Sequence, residues 1–336
     1  MKRLSLIVAV MLIAGGGLLF ASGAEEEYPV RDITNVLVWA AGGGTDVSNR
    51  IVMAEMAEIL GVNINVVNVT GGVGGSVGML EAYSRPHDGY TICGLSESVV
   101  TAGVQGGWDE RVDVWDFFII GGSPDVVSIN PDLPYETIDD LVDAAKADPG
   151  GITAGASAAG SIHHLNLLAF EEGAGIDLNF IPYDGSAPAQ NAAMTGEVQV
   201  VITSVAEQAQ LLRGGELKPL AMLIPDSFQF EDQNIPSAFD SIDGLDEYLP
   251  IEQAIGFAVA QDVPEERKAV LRDAFDQAMA SDAMQEFGEE NFYVLSGTTG
   301  EEAAATFDAL ERNFAWTLWD LGAAKVNPEE LGIPRP

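Results

Sequence analysis

The sequence predicts an α/β fold with open, mostly parallel sheets, and three features carry that prediction. Short apolar, β-branched runs alternate with helical patterns along the chain. The turns from strand to helix are rich in glycine. The length of 336 residues, with 47% apolar residues, suits two domains that each bury a core.

Ile33 to Trp39 carries the residues of a buried strand, and Ile51, Ala54, Met56, Ala57, Ile59 and Leu60 fall mostly at helical spacing before a stop at Gly61. Between them runs Trp39 to Arg50, WAAGGGTDVSNR. Gly42, Gly43 and Gly44 turn the backbone without side chains in the way, and Thr45 or Asp46 is expected to cap the helix. A glycine turn at a helix start presents free N–H donors and the positive end of the helix dipole. It therefore suits a carboxylate or phosphate, the alternative being an ordinary strand-to-helix turn.

A second strand at Asn63 to Val69 leads into another glycine turn. Glycines 72, 74 and 78 space as G-x-G-x-x-x-G, not as the G-x-G-x-x-G of dinucleotide binding, and no acidic residue follows a third strand at the expected distance. No nicotinamide, flavin or other cofactor is expected. Pro86 and Gly89 turn the chain into a strand at Thr91 to Leu95. Strands follow at Val126 to Asn130, Ile152 to Ala156, Leu178 to Pro182, Val198 to Thr203, Lys218 to Ile224 and Ile255 to Ala260. The helices between them start at Thr137, beyond Ser161, after Ser186 and after Ser204. Later helices run from Pro264 to Ala280 and through Thr299 to Leu321. In open α/β sheets ligands gather at the carboxyl ends of strands, where these turns lie.

Lys2 and Arg3 precede an apolar run from Leu4 to Phe20 and then Ala21, Ser22, Gly23 and Ala24, the layout of a secretory signal peptide with cleavage after Gly23 or Ala24. The alternative is an uncleaved anchor. No later stretch is long and apolar enough to span a bilayer, so the mature chain is expected to be extracytoplasmic and soluble. Cys93 is the sole cysteine and reads as a small buried hydrophobe; His87, His163 and His164 form no HExxH pattern, so no metal is expected.

Fifty-two acidic against 15 basic residues give a net charge of −37, which excludes nucleic acid as a partner. The acidity is spread along the chain, as on a solvated surface or in a protein from a saline habitat. Gly155-x-Ser157-x-Ala159 nearly matches the G-x-S-x-G of serine hydrolases, but lacks the last glycine, and His163 and His164 lie too close in sequence to be the usual base. Ser157 and Ser161 read instead as hydroxyl donors to an anion, or as helix caps.

The chain resembles the substrate-binding proteins of tripartite tricarboxylate transporters, the Bug receptors. The resemblance rests on Tyr28-Pro29, on Ala40 to Asp46 with Arg50, on Asn68, and on Pro86 with Asp88-Gly89-Tyr90-Thr91. It continues through Ser157, Gly160-Ser161, His164-Leu165, Pro182-Tyr183, Gly185 to Pro188 and Gly196-Glu197-Val198. It implies a periplasmic-binding-protein-like architecture of two doubly wound α/β domains with a ligand cleft between them. Residues 1–24 are then the signal peptide, 25–125 and 225–336 domain one, and 126–224 domain two. The crossings are expected near Ser123 to Ile129 and Leu220 to Pro225.

By the same resemblance the ligand is a small organic carboxylate, handed to the permease subunits of a membrane transporter. Ala41, Gly42, Gly43, Thr45 and Asp46 would form one wall, extended by Gly74, Gly75 and Ser96. Ser157, Gly160, Ser161 and Ser204 would face it, with Tyr183 and Asp184 at the rim and Trp39 and His164 completing the set. Val38-Trp39 stands where the family has Pro-Phe, Thr70 replaces a proline, and Asp184 replaces a lysine. The last change either favours a mono- or dicarboxylate over a tricarboxylate or is simple adaptation to an acidic surface. A receptor that presents its ligand to a sensor kinase is the alternative role, and a serine hydrolase a more remote one. The charge leads to the first prediction: added salt screens carboxylate repulsion, so the denaturation midpoint should rise between very low and high salt, and equal midpoints would refute this.

Overall fold

A computed structural model describes residues 28–247, 249–251 and 253–336. The segment read from sequence as a signal peptide, 1–24, lies outside the described residues.

The chain opens with β1 (Ile33–Leu37), α1 (Gly44–Leu60), β2 (Ile64–Asn68), α2 (Ser76–Tyr83), β3 (Thr91–Ser96) and β4 (Trp115–Gly122). Its middle holds β5 (Asp125–Ile129), α3 (Ile138–Ala147), β6 (Thr153–Ser157), α4 (Ile162–Ala174), β7 (Asn179–Tyr183), α5 (Ser186–Thr195), β8 (Val200–Ser204), α6 (Val205–Arg213) and β9 (Lys218–Met222). A short hairpin, β10 (Phe228–Phe230) and β11 (Gln233–Ile235), precedes β12 (Ile255–Ala260), α7 (Glu265–Met279), α8 (Asp282–Asn291), β13 (Val294–Thr299) and α9 (Gly300–Asp320).

The first large sheet has the order β13-β4-β12-β3-β1-β2 and the second β7-β6-β8-β5-β9. The first thus combines strands from both ends of the chain, and only Ser123 and Pro124 separate β4 in one sheet from β5 in the other. After β9 the chain does not return at once. Ala238, Ile242, Leu245 and Leu249 pack into the core of the second sheet before β12 re-enters the first.

Both sheets are mixed, which corrects the expectation of mostly parallel ones. β1 runs parallel to β2 and β3, and β6 parallel to β7 and β8. By contrast, β12 is antiparallel to β3 and β4, β13 to β4, and β5 to β8 and β9. Parallel neighbours arise where a helix carries the chain back over the sheet. A strand that arrives directly from the other sheet is free of that requirement.

The first sheet is buried on both faces, as alternation along β4 shows. Phe117 and Ile119 join one core, with Phe117 stacked on Phe307 at 3.7 Å, while Phe118 and Ile120 join the other, with Phe118 stacked on Phe257 at 4.5 Å. Cys93 of β3 is fully buried. Among the described residues no helix is long and apolar enough to cross a membrane.

Helix α1 is fixed to this sheet by a buried amide. Asn49 Nδ2 donates to the Thr45 carbonyl and to the Gly256 carbonyl of β12, each at 2.9 Å, and its Oδ1 accepts from Asn35 Nδ2 of β1 at 2.9 Å. Gly61 ends the helix in the left-handed conformation, φ 68°, its N–H bonded to the Ala57 carbonyl. Replacing Asn49 by Ala strands the Asn35 donor and the Gly256 acceptor. We expect a loss of about 1–3 kcal/mol in urea unfolding, and an unchanged midpoint would show that the anchor is dispensable.

Candidate functional site

The carboxyl ends of β1 and β3 in one sheet face those of β6 and β8 in the other across a cavity of about 20 Å³, lined by Trp39, Gly43, Gly44, Thr45, Ser96, Ser157, Ser161, His163, Ser186 and Glu207 among others. That volume holds about one water molecule. The walls are held together by direct bonds. The Ala40 amide donates to the Asp184 carbonyl at 3.2 Å, Gly74 N to Ala159 O at 3.3 Å, Thr101 Oγ1 to Gly160 O at 2.6 Å, and Ile162 N to Ser98 Oγ at 2.9 Å.

The start of α1 differs from expectation. Gly43 is the cap residue and supplies no side chain, so neither Thr45 nor Asp46 caps the helix in the usual position. The first helical amide, Gly44 N, instead donates at 2.9 Å to Oε1 of Glu207, which belongs to α6 of the opposite sheet. Gly44 is required here by close approach: a Cβ would lie 2.5 Å from Tyr293 Oη and 2.8 Å from Glu207 Oε1. Asp46, in the same first turn, works backwards. Its carboxylate accepts from Gly42 N at 3.0 Å, from Arg50 Nε at 3.0 Å and from Asn68 Nδ2 at 2.8 Å. Burial pushes its pKa up, and the bonds from Arg50, Gly42 and Asn68 outweigh this and hold it below the ordinary range.

Glu207 is the end of a buried chain of charges. Its Oε2 accepts from Ser204 N at 3.1 Å and Ser204 Oγ at 2.9 Å, and lies 3.1 Å from His163 Nε2. His163 Nδ1 lies 2.8 Å from Asp125 Oδ2, which also accepts from Asn166 Nδ2 at 2.7 Å. All three charged side chains are almost fully buried. Burial would strip the proton from His163, but the flanking carboxylates of Asp125 and Glu207 raise its pKa well above the usual histidine value. Burial likewise opposes ionisation of Glu207, and the charge and hydrogen bond of His163 reverse that, holding its pKa low. The result is an imidazolium shared by two carboxylates.

The other residues singled out from sequence are placed as follows. Trp39 and Ser96 meet in the cavity wall, the indole Nε1 donating to Ser96 Oγ at 3.1 Å. Ser157 Oγ pairs with Ser186 Oγ at 3.1 Å. Ser161 caps α4 by accepting from His164 N, and Ser204 caps α6 in a capping box with Glu207. Gly160 takes φ 82° and lies where a Cβ would sit 2.7 Å from Thr101 Oγ1. Gly74 and Gly75 pack behind the wall, against the backbone at Ser98 and against Val38. Ala41, Gly42 and Asp184 are exposed at the rim, and Tyr183 donates from its hydroxyl to Glu197 at 3.0 Å. His164 stacks on Phe180 at 4.2 Å and its Nδ1 accepts from Gly160 N, while burial lowers its pKa to about 4. Both histidines near Ser157 are thus engaged elsewhere.

Sequence reasoning missed Glu207, His163, Asp125, Glu97 and Ser186. Glu207 carried a legible signal, the S-x-x-E spacing from Ser204, although that spacing gives no hint that the carboxylate reaches a second sheet. Glu97 carried none. It is fully buried with Oε2 accepting from Ala254 N at 2.7 Å and Oε1 from Ser98 Oγ at 2.8 Å, and burial raises its pKa.

The model of the tripartite tricarboxylate transporter family receptor matches residues 48–307. Protein BugT of Bordetella pertussis is 30% identical over 231 residues, covering 67% of this chain and 70% of that protein. Among solved structures, R. palustris Rpa4515 with adipate superposes with a TM-score of 0.79 at 23% identity, covering 89% of this chain and 99% of the other. MatC (Rpa3494) from Rhodopseudomonas palustris with bound malate gives 0.77 at 19% identity, covering 88% and 100%. These likenesses establish a periplasmic-binding-protein-like α/β fold.

The charge chain sets a pH dependence. A raised histidine pKa contributes stability that is complete below the ordinary histidine value, about 6.5, and is lost as pH rises through the folded value. The lowered pKa values of Glu207 and Asp46 contribute stability that is lost as pH falls below the ordinary carboxylate range. His163→Gln should therefore cost about 3–5 kcal/mol near pH 6, as expected when one partner of a buried ion pair is removed. The gap from the unsubstituted protein should narrow as pH is raised, read from urea midpoints across pH; a gap constant with pH would contradict the assignment.

Proposed function

The chain belongs to the tripartite tricarboxylate transporter receptor family, and from that premise we propose that it captures a small carboxylate between two closing α/β domains and delivers it to membrane permease subunits. The observation that carries the ligand class is the bond from Gly44 N to the Glu207 carboxylate. A carboxylate already occupies the start of α1, where amide dipoles and the helix dipole favour one. Adipate and malate, the molecules bound in the two solved structures, are carboxylates too.

One domain is built on the sheet containing β1 to β4, β12 and β13. The other comprises 126–224, with the following segment to Leu249 packed on it. The hinge is the pair of crossings, at Ser123-Pro124 and in the stretch before β12. Opening there separates Gly43, Gly44, Thr45, Trp39 and Ser96 from Ser157, Ser161, Ser186 and Ser204. Closure buries the ligand carboxylate among amides and hydroxyls and excludes water. The protein works outside the cytoplasm, and its role is binding without turnover.

A thermal-unfolding screen of the mature protein tests this. A carboxylate at about a hundred times its dissociation constant adds roughly 2.7 kcal/mol and raises the melting temperature. Gly44→Ala should weaken that ligand at least about tenfold, because the added methyl collides at the amide that receives it. Stabilisation by uncharged sugars alone would overturn the proposal.

A further inference from the structure

The cavity of about 20 Å³ holds about one water, so a ligand that reaches the Gly44 amide parts the walls and displaces the Glu207 carboxylate from it. Breaking that bond takes a partner from each of two groups, although Glu207 keeps Ser204 and His163 on its other oxygen. One is a backbone donor at a helix start, which wants an anion. The other is a buried carboxylate, which wants a cation or a donor.

The cavity offers Glu207 the Ser186 hydroxyl but no cation besides His163. Among the described residues that line it there is no Lys or Arg. His163 is the basic group present, and both of its ring nitrogens are engaged, one with Asp125 and one with Glu207. Two carboxylates therefore share one imidazolium, and the balance of that chain is negative. Arg50, on α1 itself, is held by Asp46 and Asn68. A plain dicarboxylate entering here would satisfy Gly44 but leave Glu207 facing a further negative charge.

We propose that Glu207 is a specificity-determining residue and that the cleft takes an amino carboxylate, whose carboxylate replaces Glu207 at the first-turn amides of α1 and whose ammonium replaces Gly44 at Glu207. A zwitterion supplies both partners of the bond it opens. The inference rests on the carboxylate-receptor reading and narrows its ligand class.

Matched pairs separate the two readings: glutamate against glutarate, aspartate against succinate, and 3-aminopropanoate against propanoate, each titrated into the mature protein by calorimetry. The amino member of at least one pair should bind about tenfold tighter or more than its deaminated counterpart. Glu207→Gln should bring that pair to near equality, chiefly by weakening the amino member. Tighter binding of the deaminated members by the unsubstituted protein would overturn the proposal while leaving the carboxylate reading intact, and needs no variant to fold. Absence of binding in every pair, alongside binding of uncharged solutes, would overturn both.

Discussion

The buried chain Asp125–His163–Glu207 is the constraint around which the cleft is arranged. Its members come from three places in the sequence: the first residue of β5, the second of α4 and the third of α6. Each carboxylate alone would be costly to bury, and the imidazolium between them makes burial tolerable. Because both ring nitrogens are used, the ring has one orientation, and it aims Glu207 across the interface at the start of α1. The same bonds that fix the charge therefore fix where the second sheet meets the first.

On the opposite side, position is set by packing and by one amide. Asn49 ties α1 to β1 and β12, and Asp46 folds back to hold Gly42, Arg50 and Asn68. The Gly42 amide of the glycine turn is thereby bonded on its own side of the cleft. Gly44 presents its N–H with a Cβ excluded by Tyr293 and Glu207, so on the proposed reading recognition falls to the backbone. This explains how a chain with a net charge of −37 can receive an anion. Local dipoles act at contact, while distant surface carboxylates are screened by salt.

Much of the fold was legible in the sequence because its signals are local. The β1 to β3 strands, the helix start at Thr137, and the glycine turns after β1 and β2 are legible to within a residue or two. The aromatic strand β4, the hairpin of β10 and β11, and β13 were not singled out. β4 is buried on both faces and so shows no alternation of apolar with polar residues, and the hairpin strands are too short to carry a period. The parallel preference failed for a different reason. Strand direction in β5 and β12 depends on the passage between sheets, which no local pattern encodes.

The sequence by itself determined the family resemblance, the glycine turn at the head of α1, the serines at the starts of α4 and α6, and the acidic charge. These follow from residue type and spacing over a dozen positions. Only the tertiary structure decided what occupies the turn. The carboxylate at Gly44 comes from a residue 163 positions away, and the histidine that holds it ionised is paired with an aspartate 38 positions away. Sequence records such contacts only as separate letters. Charge compensation in a buried site is a property of distance, and distance exists only once the chain has folded.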